Sequence, residues 1–130
     1  MSRQTQGLNR LERLARLKSD IEMRRFSAFR QTVEAARLRI AAVEQDLQRL
    51  YDTETDFSVS EARLANAIAQ ELSRALLKAE RDLQQMLPGF EAARIRAQRE
   101  FGRAEVLKTL QVQSGLEDRL IATRKREPQA

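Results

Sequence analysis

The stretch QQMLPGFEAA, residues 84–93, decides how this chain folds, because it holds the only Pro-Gly pair in a sequence that otherwise reads as helix. If Pro88-Gly89 ends a helix and reverses the chain, the 130 residues make a compact three-helix bundle. If it only bends a helix, they make a long two-helix rod. The surrounding apolar residues favour the bend. Leu83, Met86, Phe90, Ala93 and Ala97 step by 3, 4, 3, 4 across the pair, and a reversal has no reason to preserve helical phase. Proline inside a helix removes one hydrogen bond and crowds the carbonyl four residues back, here that of Gln84, which kinks a helix without reversing it. No good N-cap residue precedes Pro88. The pair reads as a kink.

Upstream, Leu64, Ile68, Leu72, Leu76 and Ala79 extend the same spacing toward Ser58-Val59-Ser60-Glu61. That segment is a capping-box pattern, in which a Ser hydroxyl takes an orphan backbone N–H and Glu reaches back to the cap. The polar run from Asp52 to Ser58 is therefore the turn. Before it, Phe26, Phe29, Val33, Ala36, Ile40, Val43, Leu47 and Leu50 alternate steps of 3 and 4, a heptad seam. Leu8, Leu11, Leu14, Leu17 and Ile21 form an earlier stripe of different phase, which implies an irregularity near Met23. The fold class expected is all-α, a long antiparallel two-helix coiled-coil hairpin with its second helix kinked near Pro88-Gly89.

With Asp52 and Val59 flanking the turn, facing residues have numbers adding to about 111. Pro88 then lies opposite Met23, which suggests a shared defect in the seam, with coincidence as the alternative. The same register exhausts helix one near Leu110. It implies a hairpin over 1–110, turning at about 52–59, and a helical overhang with a frayed tail over 111–130. At 1.5 Å per residue, about 45 paired residues make a rod of roughly 65–70 Å.

Composition agrees with this class. Aromatic residues make up 5% of the chain and charged residues 33%, so it suits a narrow seam better than a broad core. The absence of Cys excludes disulfides and thiolate metal sites, and the absence of His removes the commonest general base and zinc ligand. The start, MSRQTQGLNR, has no apolar leader core, and no run reaches the roughly 20 apolar residues of a membrane span. A soluble protein compatible with a reducing cytoplasm is expected.

The net charge of +5 and a pI near 10.4 suit phosphate binding, yet nineteen acids are interspersed among twenty-four bases. Pairs such as Glu12–Arg16 and Asp20–Arg24 instead suggest a solvated helix surface. The charge is polarised along the hairpin. Residues 1–43 carry ten bases and four acids, 44–82 five bases and nine acids, and 83–130 nine bases and six acids. Leu38, Tyr51, Phe57, Val59 and Leu77 fall outside the seam, most of them toward the turn, as a docking patch or as local packing. The sequence contains no phosphate-binding glycine loop and no zinc-protease motif, and a two-helix rod offers no pocket to shift a carboxylate pKa. No enzyme activity, cofactor or small-molecule substrate is expected.

The Arg-rich amphipathic start LNRLERLARLKSDIEMRRF and the late REFGRAEVLKTLQVQ helix, on two long antiparallel helices, resemble the FliJ family. These are small coiled-coil proteins of bacterial flagellar export with relatives in virulence-type secretion. The resemblance covers roughly Leu8 to Leu110, and Pro88-Gly89 matches no pattern of that family. It implies a stalk-like coiled coil that enters the export ATPase ring, contacts the membrane-embedded export gate and handles export chaperones, at the cytoplasmic face of the inner membrane. The basic end, with Arg10, Arg13, Arg16, Arg24 and Arg25, would face the ATPase. The tip, with Tyr51, Phe57 and Val59, would approach the gate. Two alternatives stay open on the sequence: an Arg-rich helical nucleic-acid-binding protein, and a generic coiled-coil adaptor.

Overall fold

The computed structural model describes residues 2–53 and 58–127, and these contain two α-helices and no strand. Helix α1 spans Arg3–Asp52 and helix α2 spans Val59–Arg126. The two pack against each other as a helical hairpin. Helix α2 passes through Pro88 and Gly89 without ending, so the three-helix alternative is excluded. Proline is tolerated there because its lost hydrogen bond is one among many and the flanking seam residues stay buried.

Each helix starts on a serine. The Ser58 hydroxyl accepts the Glu61 N–H at 3.2 Å, and its carbonyl accepts the Ala62 N–H at 2.9 Å. The Ser2 hydroxyl accepts the Thr5 N–H at 3.1 Å in the same way. Both contacts satisfy donors that a helix N-terminus otherwise leaves unpaired. Phe57 and the other residues of 54–57 lie outside the described residues.

The chain divides into two units. A central unit holds Ala28–Ala92, and a terminal unit joins the residues up to Ser27 with those from Ala93 onward. In the central unit the seam is hydrophobic. Val33, Ala36, Ile40, Val43, Leu47 and Leu50 of α1 are buried or half-buried, as are Ala65, Ala69, Leu72, Leu76, Ala79, Leu83, Met86 and Phe90 of α2. Val33 is the most enclosed, with 1% of its surface exposed. Leu64 and Ile68, expected in the seam, remain 63% and 42% exposed, because Ala65 and Ala69 hold the inward positions. Smaller residues there let the helices approach near the turn. Phe29 sits over Gly89, where a Cβ would lie 3.2 Å from the ring.

In the terminal unit the composition of the seam inverts. Thr5, Glu12, Ser19 and Glu22 of α1 are buried, with Leu8 and Ala15 half-buried between them. They pack on Ala93, Ala97, Glu100, Ala104, Leu107, Gln111, Ser114 and Asp118 of α2. The inward residues of α1 from Thr5 to Leu50 therefore keep one alternation of 3 and 4 throughout. The expected change of phase near Met23 is absent. It came from taking Leu11, Leu14, Leu17 and Ile21 as seam residues, whereas these are 53%, 63%, 54% and 49% exposed.

The pairing register also differs from expectation. In the terminal unit Ser2 meets Asp118, Thr5 meets Ser114, Asn9 meets Gln111 and Lys18 meets Glu100, pairs whose numbers add to 118–120. In the central unit Phe29 meets Gly89. Pro88 thus lies near the level of Phe29 and not of Met23. Helix α2 stays paired past Leu110 to Asp118, so the overhang expected from Gln111 begins later. The offset from a register of about 111 is roughly one heptad, a shift that leaves the phase of every apolar residue unchanged.

Candidate functional site

Numbering the heptad so that the inward residues are a and d gives each flank of the terminal unit an address. Positions c and g of both helices share one flank, positions b and e share the other, and position f points outward between them. On the c and g flank α1 places Leu11, Leu14 and Ile21, and α2 places Val106 and Leu110. Every one of these is between 42% and 63% exposed. The charged residues on this flank from Arg3 to Arg25 and from Ala93 to Leu116 are Lys18, Arg25, Arg96, Arg99 and Arg103, while Arg3, Arg10 and Arg24 take outward f positions. No acid occurs among those positions, and Glu117 is the first beyond them.

The acids of the terminal unit have gone elsewhere. Glu12, Glu22 and Glu100 occupy the seam, with 7%, 8% and 7% of their surfaces exposed. Each is held by a cation that stays in solvent: Arg16 at 3.5 Å from Glu12, Arg25 at 3.0 Å from Glu22, and Arg103 at 3.0 Å with Lys18 at 3.5 Å from Glu100. The long side chains reach over the helix surface and neutralise carboxylates tucked beneath them. Asp20 and Glu105 lie on the b and e flank, among Arg13, Arg16, Arg94 and Lys108. One flank is therefore mixed in sign, and the other carries bases and no acid beside its exposed apolar residues.

Between the two helices on the basic flank runs an open groove of about 670 Å³, lined by Leu11, Leu14, Ala15, Val106 and Leu107. Lys18, Glu100, Gly102 and Arg103 complete its walls. A Cβ added to Gly102 would meet nothing within 4 Å, so that wall is low. At the far end of the unit, the Thr5 hydroxyl lies 2.6 Å from both the Ser114 hydroxyl and the Asp118 carboxylate. The Ser2 N–H donates to the same carboxylate at 3.1 Å. The Thr5 hydroxyl, and then the Ser2 amide, hold the Asp118 carboxyl below its ordinary value of 3.8, since both favour the charged form. This cluster ties the start of α1 to α2.

The five arginines singled out in the sequence do not form one patch. Arg25 lies on the basic flank, Arg10 and Arg24 point outward from the back of α1, and Arg13 and Arg16 lie on the mixed flank. Tyr51 and Val59 are each 73% exposed in the central unit. Phe57 lies outside the described residues. The groove itself escaped the sequence reading. Its signal is the leucine stripe out of phase with the seam, which in the sequence implies an irregularity near Met23 and not a second apolar face. Among the described residues, no helix is long and apolar enough to cross a membrane, and no group of acidic residues could hold a metal ion.

These features define an antiparallel helical hairpin with a polar seam and an apolar, basic flank in its terminal unit. Comparison with family models, with curated proteins and with solved structures returns no match.

Proposed function

We propose that this chain is a non-catalytic component of a flagellar or type III protein export apparatus, a stalk-like coiled coil that engages the export ATPase ring and the export gate from the cytoplasm. The reading rests on the resemblance of its Arg-rich start and late helix to the FliJ family. The observation that carries it furthest is the division of charge. The residues up to Ser27 and from Ala93 onward carry sixteen bases against eight acids, whereas Ala28–Ala92 carry eight against eleven. A protein that bridges two surfaces needs regions of different sign. In this reading the terminal arms, with Arg10, Arg13, Arg16, Arg24 and Arg25, meet the ATPase. Tyr51 and Val59, with Phe57, approach the gate, and export chaperones are further partners.

The test is a pull-down with the full chain from its native cell, followed by an ATPase assay. Recovery of an export ATPase and gate components, with stimulated ATP hydrolysis, is the expected result. Arg13→Glu with Arg16→Glu should reduce that stimulation by about tenfold, since each reversal turns an attraction into a repulsion. Stimulation that survives the double reversal would remove those arginines from the contact. Recovery of neither partner, with salt-steep binding to duplex DNA, would transfer the reading to nucleic acid.

A further inference from the structure

We infer that the groove on the basic flank of the terminal unit is the seat for a third α-helix, an acidic amphipathic segment of another protein. The inference stands on this surface alone and does not depend on the export reading.

Three observations converge on that occupant. First, the terminal unit buries less apolar side chain than the central one: its seam is mostly Ala, Ser, Thr and Glu, with Leu8 and Leu107, while Leu11, Leu14, Val106 and Leu110 face outward. Leu14 and Val106, at 63% and 60% exposed, gain nothing from their position unless something covers them. Second, the surface is concave. Leu107 and Ala15 form its floor, Leu11, Leu14 and Val106 form its walls, and Gly102 leaves one side open. A helix of about 10 Å diameter seats its ridge in such a groove, with anchors at three- and four-residue spacing.

Third, the rim selects the charge of the guest. Lys18 and Arg103 border the groove and share the one carboxylate in its wall, that of Glu100, and the rest of the flank adds Arg25, Arg96 and Arg99 and no acid. A helix with Leu or Val on one face and Glu or Asp beside it would complement both parts of the surface. A second copy of the terminal unit would bring the same bases against these and repel them. A bilayer is flat, and this flank offers no Trp, Tyr or Phe to anchor at the headgroup level. Nucleic acid would use the bases and leave the leucine walls idle.

The test uses the full chain and a fluorescein-labelled synthetic helix of three heptads, with Leu at its core positions and Glu flanking them. A twin carrying Lys in place of Glu is the control. Fluorescence anisotropy should show saturable binding of the Glu peptide, one per chain, and none of the Lys peptide. Leu14→Gln and Val106→Gln should each weaken binding by about tenfold or more, with circular dichroism confirming that the helices persist. Lys18→Gln should weaken it less and flatten its dependence on salt. Equal binding of both peptides, binding of neither, or variants that bind like the parent would overturn the inference. So would a dimer by light scattering that Leu14→Gln dissociates, which would make a second copy the occupant. Adsorption to vesicles of phosphatidylcholine and phosphatidylglycerol, lost in Leu14→Gln without any peptide binding, would make it a membrane surface.

Discussion

Glycine 89 and glycine 102 are both helical, and their surroundings differ in a way that stability measurements can read. A Cβ at Gly89 would press on Phe29 at 3.2 Å, whereas one at Gly102 would meet nothing within 4 Å. Gly102→Ala should therefore raise stability by about 0.5–1 kcal/mol, the ordinary gain from glycine to alanine in a helix interior. Gly89→Ala should raise it by less, because the Phe29 ring must shift; paired urea titrations compare the two. Asp118 offers a second measurement. Its folded pKa lies below 3.8, so what its contacts contribute is complete above that pH and is lost as pH falls through the lowered value. The carboxyl carbon of Asp118 should titrate below 3.8 by NMR, and in Thr5→Ala the midpoint should move back up toward it. A midpoint indifferent to Thr5 would remove that hydroxyl as the cause.

At the scale of the helix, Pro88 is the residue least suited to its place. Proline costs a helix interior about 3 kcal/mol relative to alanine, although the stiffer unfolded chain recovers part of that. Pro88→Ala should raise the urea midpoint without changing the denaturant slope, by about 1–2 kcal/mol of stability. The buried glutamates of the terminal unit present the opposite case, a residue matched to its position by a partner outside the seam. Glu22→Leu would replace a carboxylate held by Arg25 at 3.0 Å with an apolar side chain, leaving Arg25 in solvent. Replacing buried ion pairs by hydrophobic residues is often stabilising, and a gain of about 1 kcal/mol in thermal or urea unfolding is expected. Both substitutions bear on why the helices were legible in the sequence. Periodicity, the Ser58 cap and phase continuity across Pro88 identify both helices and the turn between them, although α1 starts at Arg3, ahead of the apolar stripe that begins at Leu8. Ala93 and Ala97 continue the α2 seam as the spacing predicts, but the face α1 buries near its start was not legible, because the strongest apolar stripe there is the one turned outward.

At the scale of the whole molecule, the two units bury different chemistry and should differ in stability. A seam of Leu, Val, Ile and Phe buries several more methylenes per turn than one of Ala, Ser and Thr, at about 0.8 kcal/mol for each. Hydrogen exchange should accordingly show slower amides within 28–92 than within 5–27 and 93–118, with the difference persisting at every pH where exchange is measurable. Faster exchange in the central unit would contradict the assignment of the seams. Occupation of the groove by a third helix would narrow the gap by covering the outward leucines of the terminal unit.

Local physics was sufficient to determine much of this protein from its sequence: all-helical structure, one reversal after Asp52, a helix that continues through Pro88, and a basic excess at the termini. Each of these depends on neighbours three or four residues apart or on a cap beside the helix. Tertiary structure alone decided the register, because a heptad pattern looks the same when slid by one heptad, and contacts such as Asn9 with Gln111 are needed to choose. It also decided which side of the terminal unit faces inward. A stripe of leucines normally marks the buried face, but here Glu12, Glu22 and Glu100 are neutralised by arginines and lysine reaching from solvent, so the polar stripe can be buried and the leucines left outside. That pairing depends on three-dimensional reach across the helix surface, which no one-dimensional count of apolar positions contains.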